Sequence, residues 1–219
     1  MIKAVVWDFD STIAESAEFC LEVYKSTLEK FLGRRPESIE ITSRFSMSEP
    51  GVLRDFLGGI NEKSIASEEY FYQQHRELHP VMCPDVFDGI REIFDFLSDK
   101  GIKQALLTGR TEKSAEISMD FLQIRKYFTA FKYGSEIKID KAAQMRELME
   151  QYGISNAEMF YIGDSVSDVE ACKKAAVICL SAAWAKSVRS SDLQTVNPGF
   201  VFETVADMSE YIKNTVEND

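Results

Sequence analysis

The chain has 219 residues, 45% of them hydrophobic and 28% charged, with 11 glycines, 5 prolines and a formal net charge of −11. Those values describe an ordinary folded chain and exclude the disordered and fibrous classes; the length allows one domain carrying a smaller insert. A sequence pI near 4.8 argues against nucleic acid as a partner, because an acidic surface repels phosphate backbones, yet a locally cationic site can still take a small phosphorylated metabolite.

The opening residues, MIKAVVWDFD, lack a signal-peptide pattern, and no apolar run approaches the ~18 residues of a membrane span. The cysteines, Cys20, Cys83, Cys172 and Cys179, are scattered without a CxxC pair. The expectation is a cytoplasmic protein with free thiols and no membrane association, as a monomer or homodimer.

Residues 2–7, IKAVVW, form a β-branched apolar run suited to a buried parallel strand, and it ends in the acidic cluster DFDST. Helical spacing follows over 17–31, through Phe19, Cys20, Val23, Leu28 and Phe31, until Gly33 and Pro36 break it. A second helix is predicted over 49–56, closed at Gly58-Gly59, and a third over 67–78, stopped by Pro80. From Pro84 the pattern alternates. Helices are predicted over 86–97, 112–122, 141–152, 169–175 and 205–212; strands are predicted over 102–107, 129–133, 159–162 and 177–180. Repeated βα units imply an α/β fold with a doubly wound parallel sheet, carrying a small all-helical domain. Residues 1–14 and 83–219 then form the α/β core, and 15–82 the helical insert.

Sheets of this kind place ligands beyond the carboxyl ends of their strands. Polar clusters fall at three such ends. Asp8 and Asp10 follow the first strand with Phe9 between them, and two like charges this close call for a compensating cation. Asp164 and Asp168, in IGDSVSD, follow another strand, where they could equally cap the next helix. Four carboxylates with no Cys or His among them suit a hard ion, Mg²⁺ in preference to Zn²⁺. Thr108, with Gly109 and Arg110, offers a hydroxyl and backbone N–H groups at a third strand end, suited to phosphoryl oxygens. Lys141 opens a helix, where the dipole disfavours positive charge unless an anion lies nearby; Lys138 is close enough in sequence to compete with it.

In order, Asp8-Phe9-Asp10-Ser11-Thr12, Thr108 in LLTGR, Lys141 in KAAQMRELM, and Gly163-Asp164-Ser165-Val166-Ser167-Asp168 resemble the four motifs of the haloacid dehalogenase superfamily. The resemblance covers nearly the whole chain. It favours Lys141 over Lys138, because the family lysine begins the helix. It implies that Asp8 attacks phosphorus and becomes an aspartyl-phosphate, and that Asp10 protonates the leaving oxygen and then activates water. Thr108 and neighbouring amides would hold the phosphoryl oxygens, and Lys141 would neutralise Asp8 and substrate. Mg²⁺ would be held by Asp8, the Asp10 carbonyl and Asp164, with Asp168 as a further ligand or a partner of one. An aspartate at position 10 implies phosphate chemistry and not carbon–halogen cleavage. Ser11 and Ala176 depart from the family pattern, which commonly has Gly at both.

Residues 15–82 lie where the family places a helical cap that shields the reaction and sets specificity. Arg44, Ser48 and Arg54 are the candidate substrate contacts there; His75 and His79 read as plain surface or packing residues. The resemblance implies a Mg²⁺-dependent phosphatase for a small phosphomonoester, similar to phosphoglycolate phosphatases. The alternatives are a sugar phosphomutase of the β-phosphoglucomutase type and a non-catalytic phosphate-binding module.

Overall fold

The computed structural model describes residues 1–218. Strand β1 (Ala4–Trp7) is wholly buried, as its run of Ala, Val, Val and Trp requires. It lies in the middle of a six-stranded sheet of order β3-β2-β1-β4-β5-β6, with β2 (Lys103–Leu107), β3 (Ala130–Lys132), β4 (Met159–Gly163), β5 (Ile178–Ala182) and β6 (Val201–Phe202). Every pairing is parallel. Trp7 stands opposite both Leu106 and Ile162, so Asp8, Thr108 and Asp164 emerge on one edge of the sheet. Strand order reverses between β1 and β4, which makes that edge the switch point at which such sheets bind ligands.

Two apolar clusters cover the two faces. One gathers Val6, Leu107, Met145, Leu148, Tyr161 and Val169 under α7 (Lys141–Tyr152) and α8 (Val166–Ala175). The other packs Trp7 and Leu106 against α5 (Ile90–Asp99), α6 (Glu112–Leu122) and α10 (Val205–Asn218), and continues into the helical insert through Phe19, Val23, Leu28, Ile41, Leu53 and Phe71. The insert holds α1 (Ala17–Leu32), α2 (Ser38–Thr42), α3 (Glu49–Phe56) and α4 (Glu62–Met82). Its apolar interior is therefore continuous with one face of the sheet.

Three local readings of the sequence change. Helix α4 begins at Glu62, where Asn61 accepts the Ser64 N–H, and it runs through Pro80 to Met82. Pro80 gives up its own bond to the Arg76 carbonyl, and the helix still closes beyond it through Cys83 N–H on the His79 carbonyl. Helix α5 starts at Ile90 and not at 86, because Phe87 N–H is bonded to the Ile13 carbonyl and Gly89 turns the chain at φ 88°. Helix α2, helix α9 (Ser190–Val196) and strand β6 had no periodicity in the sequence to announce them. They span five, seven and two residues, too short for a repeating pattern.

Candidate active site

After β1 the chain turns tightly. Ile13 N–H reaches the Phe9 carbonyl, Ser11 N–H reaches the Ala14 carbonyl, and Ser11 takes φ 56°. Glycine adopts that conformation without cost, so Ser11 carries strain here. Its hydroxyl lies 3.0 Å from that of Ser187, and Trp184 Nε1 donates to the Thr12 carbonyl at 3.2 Å, so the segment after β5 braces the turn. Asp8, 7% exposed, accepts the Phe9 N–H at 2.8 Å on Oδ1.

Lys141, the first residue of α7, donates to Asp8 Oδ2 at 2.8 Å, to Asp168 Oδ1 at 2.7 Å and to the Tyr161 hydroxyl at 2.9 Å. That geometry supplies the anion that a lysine at a helix N-terminus needs. Asp168 is fully buried; its Oδ1 takes Lys141 and Tyr161, and its Oδ2 takes the Ser165 N–H and hydroxyl. With Ser165 as N-cap, Asp168 completes a capping box on α8, so it both caps the helix and fixes Lys141. Gly163 makes room for this: a β-carbon there would meet Tyr161 at 2.7 Å and Asp168 at 2.8 Å.

Asp8, Asp164 and Asp168 each offer a carboxylate oxygen, and the three lie within 4.8 Å of one another. Burial pushes the Asp8 carboxyl up to about 7, and Asp168 and Asp10 add to the rise against the pull of Lys141. Burial also raises Asp164 well above the usual range, with Asp8 and Asp168 repelling its charge. Burial would raise Asp168 too, but Lys141 brings it below the ordinary carboxylate value. One lysine thus leaves this cluster short of positive charge. An all-oxygen donor set with uncompensated repulsion fits a hard divalent cation.

Asp10 turns elsewhere. Its Oδ1 accepts from Ser16 at 2.6 Å, from Cys20 at 3.3 Å and from Arg110 Nη2 at 2.5 Å, and Arg110 Nε reaches Oδ2 at 3.0 Å. Arg110 holds the Asp10 carboxyl far below its ordinary value against the effect of burial. Sequence reasoning placed Arg110 among the phosphate contacts. The structure instead buries its guanidinium between Asp10, Ser118 and Cys20. Thr108, fully buried, accepts the Arg110 N–H at 3.2 Å, and the segment after β3 crosses over this turn: Gly134 N–H bonds the Arg110 carbonyl, and a β-carbon on Gly134 would fall 1.9 Å from the Gly109 carbonyl oxygen.

Among the described residues, no contact brings the two cap arginines to the acidic cluster. Arg44 pairs with Asp55 and stacks on Phe56 at 4.3 Å. Arg54 pairs with Glu68 and with Glu136 of the segment that crosses Gly109. Ser48, the third cap candidate, meets the core through its N–H on the Ser135 carbonyl, and other cap residues that meet the core were not singled out for it. Glu49 accepts the Thr111 N–H, Tyr72 lies 3.1 Å from the Thr111 hydroxyl, and His75 and His79 both reach the Ser118 hydroxyl. Their spacing of four is the one sign in the sequence that could have put both histidines on a shared helix face, and it does not say what that face meets.

A doubly wound parallel sheet that gathers buried carboxylates and one lysine at its switch point and carries a helical cap is the architecture of a capped α/β hydrolase. The sequence model of the haloacid dehalogenase-like hydrolases matches residues 5–182, and the chain belongs to that family. It is 29% identical over 189 residues to a phosphoglycolate phosphatase of Pseudomonas fluorescens strain Pf0-1, covering 81% of this chain and 68% of that one. The crystal structure of a predicted phosphoglycolate phosphatase from Haemophilus somnus 129pt superposes with TM-score 0.79 at 14% identity, over 96% of this chain and 98% of that chain. That of CbbY from Rhodobacter sphaeroides in complex with phosphate superposes at 0.76 and 16% identity, over 95% and 96%. At those identities the two structures speak for the fold.

Proposed function

We propose that this hydrolase is a Mg²⁺-dependent phosphatase that cleaves a small phosphomonoester through an aspartyl-phosphate on Asp8, with 2-phosphoglycolate the first substrate to test. The observation that carries the reading is Lys141 Nζ, held between Asp8 Oδ2 and Asp168 Oδ1 within a buried acidic cluster. A carboxylate attacking an anionic phosphoryl group needs positive charge between the two, and Lys141 stands ready at the nucleophile. Asp8 keeps Oδ1 tied to the Phe9 N–H, which fixes the carboxylate plane.

Asp8, the Asp10 carbonyl and Asp164 would hold the cation, which when bound supplies further charge neutralisation between nucleophile and phosphoryl oxygens. Thr108 and the N–H groups around Gly109 would take phosphoryl oxygens once the substrate enters. Asp10 would exchange protons with the leaving oxygen and then with water. The cap closes the site from bulk water, and Arg54 would act at its rim through the pair with Glu136. The 68% coverage and 29% identity to a phosphoglycolate phosphatase support the substrate class. An acidic chain without a membrane-length apolar helix among its described residues is compatible with a cytoplasmic metabolite phosphatase.

The test is phosphate release from a panel of phosphorylated metabolites with Mg²⁺, together with Asp8→Asn. Turnover of a carboxylate-bearing phosphomonoester, lost in a folded Asp8→Asn variant, is the expected result. Isomerisation of a sugar phosphate without phosphate release would point to a phosphomutase, and an Asp8→Asn variant that keeps most activity would remove Asp8 as nucleophile.

A further inference from the structure

Asp10 is surrounded by donors, and its two oxygens are used unequally. Oδ1 receives Ser16 Oγ at 2.6 Å, Cys20 Sγ at 3.3 Å and Arg110 Nη2 at 2.5 Å, while Oδ2 receives Arg110 Nε at 3.0 Å. Oδ1 is saturated; Oδ2 retains acceptor capacity, and the side chain is 36% exposed.

Arg110 is itself immobilised. It is 5% exposed, its guanidinium carbon lies 4.3 Å from the Phe9 ring centroid, and Nη1 donates to Ser118 Oγ at 2.7 Å. Ser118 is in turn held by His75 Nε2 at 2.9 Å and His79 Nε2 at 3.0 Å, both on α4 of the cap. A guanidinium gripped on three sides is a rigid fork, and its geometry fixes the carboxylate it binds. A buried fork already spent on Asp10 and Ser118 is a poor receptor for a substrate anion.

We propose that Arg110 is a positioning residue: it locks the Asp10 rotamer and leaves Oδ2 as the atom that takes the proton of the water clearing phospho-Asp8. The proposal rests on the aspartyl-phosphate reading above. In that half-reaction the water oxygen bonds to phosphorus, and the bond from phosphorus to the Asp8 oxygen breaks with its electron pair returning to Asp8. One water proton passes to Asp10 Oδ2, and inorganic phosphate leaves. Because every neighbour of Asp10 is a donor, the shell suits the accepting half of the cycle. Because His75 and His79 come from α4, Cys20 from α1 and Ser16 from the position that precedes α1, the aim of Asp10 depends on a seated cap.

The experiment uses 4-nitrophenyl phosphate, whose leaving group departs with little help from a proton, so that the two half-reactions separate. In a ping-pong scheme kcat/KM reports events up to phosphorylation of Asp8, and kcat also contains hydrolysis of the intermediate. For Arg110→Met, kcat should fall about tenfold or more, kcat/KM should stay within about twofold, and a nitrophenol burst of about one equivalent should appear. Arg110→Lys, which keeps the charge without the fork, should lie between, and Ser118→Ala should shift kcat in the same sense by less. A parallel fall in kcat and kcat/KM would overturn the proposal and return Arg110 to substrate binding. So would unchanged kcat in folded Arg110 variants. Should neither Arg110 variant fold, Ser118→Ala decides: a lower kcat at constant kcat/KM supports the brace, and wild-type kinetics sink it. A wild-type enzyme that forms no phosphoenzyme would overturn the aspartyl-phosphate reading as well, whereas a phosphoenzyme with misplaced variant effects overturns only the role of Arg110.

Discussion

Glu49, the first residue of cap helix α3, accepts the backbone N–H of Thr111, the N-cap residue of core helix α6, at 2.7 Å. Its other oxygen accepts the Ser114 hydroxyl. A carboxylate from one element thus sits at the N-terminus of a helix in another, where the dipole favours it. Burial pushes the Glu49 carboxyl above its ordinary value, and these donors hold it down only in part. Glu49→Ala strands the Thr111 N–H and Ser114 and should cost about 1–3 kcal/mol in urea unfolding. Glu49→Gln, which can still accept one bond, should cost less; equal stability of all three proteins would mean that this contact does not hold the cap.

The histidine pair gives the protein an acid-sensitive seam. Burial, with Arg110 adding to it, lowers His79 to about 4 and His75 to about 2 from an ordinary 6.5. The unfolded chain therefore binds protons between pH 6.5 and 4 that the folded chain refuses, so stability is full above about pH 6.5 and falls as the pH drops through that window. The loss for His79 reaches roughly 2 kcal/mol by pH 5. The raised carboxyls of Asp8 and Asp164 act in the opposite direction, so the informative comparison is wild type against His79→Gln. The variant should show the shallower decline in urea midpoint between pH 7 and pH 5; parallel declines would mean that His79 titrates normally.

Repulsion among Asp8, Asp164 and Asp168 predicts a stability response to cations. Mg²⁺ at about a hundred times its Kd should stabilise the wild type by ~2.7 kcal/mol, visible as a rise of roughly 5–10 °C in Tm, and a chelator should reverse it. Asp164→Asn removes one carboxylate and relieves repulsion without the ion, so its Mg²⁺-dependent rise should be largely lost. A full rise in that variant would move the cation elsewhere.

Ala176 closes α8 at φ 56°, the left-handed conformation that glycine adopts freely. Ala176→Gly should therefore raise stability by about 0.5–1 kcal/mol, less the extra entropy glycine gives the unfolded chain. A thermal melt below that of the wild type would show that the alanine methyl contributes packing that outweighs the backbone strain.

Much of the fold was legible because its signals are local. The apolar run 2–7 suited a buried strand and holds one over Ala4–Trp7, the turn from strand to acidic cluster recurs after β4, and helices 49–56, 112–122 and 141–152 appear at the predicted bounds. Pro80 misled because a proline's cost depends on where the helix ends, which neighbouring residues alone do not state. Position alone left Lys138 in competition; the family resemblance favoured Lys141, and the structure sets it on Asp8 at 2.8 Å.

The sequence by itself determined the parallel sheet, the helical insert and the chemical groups at the strand ends, because periodicity and strand termini are properties of short stretches of chain. Only the tertiary structure decided how those groups are partnered. Arg110 adjoins Thr108 and Gly109 in sequence, but its long side chain turns to a carboxylate a hundred positions away, braced by histidines from another helix. Asp168 both caps α8 and steadies Lys141, and Glu49 fastens the cap to the core. A flexible charged side chain goes to whichever buried opposite charge lies within its reach, and that is set by the packing of the cap on the sheet.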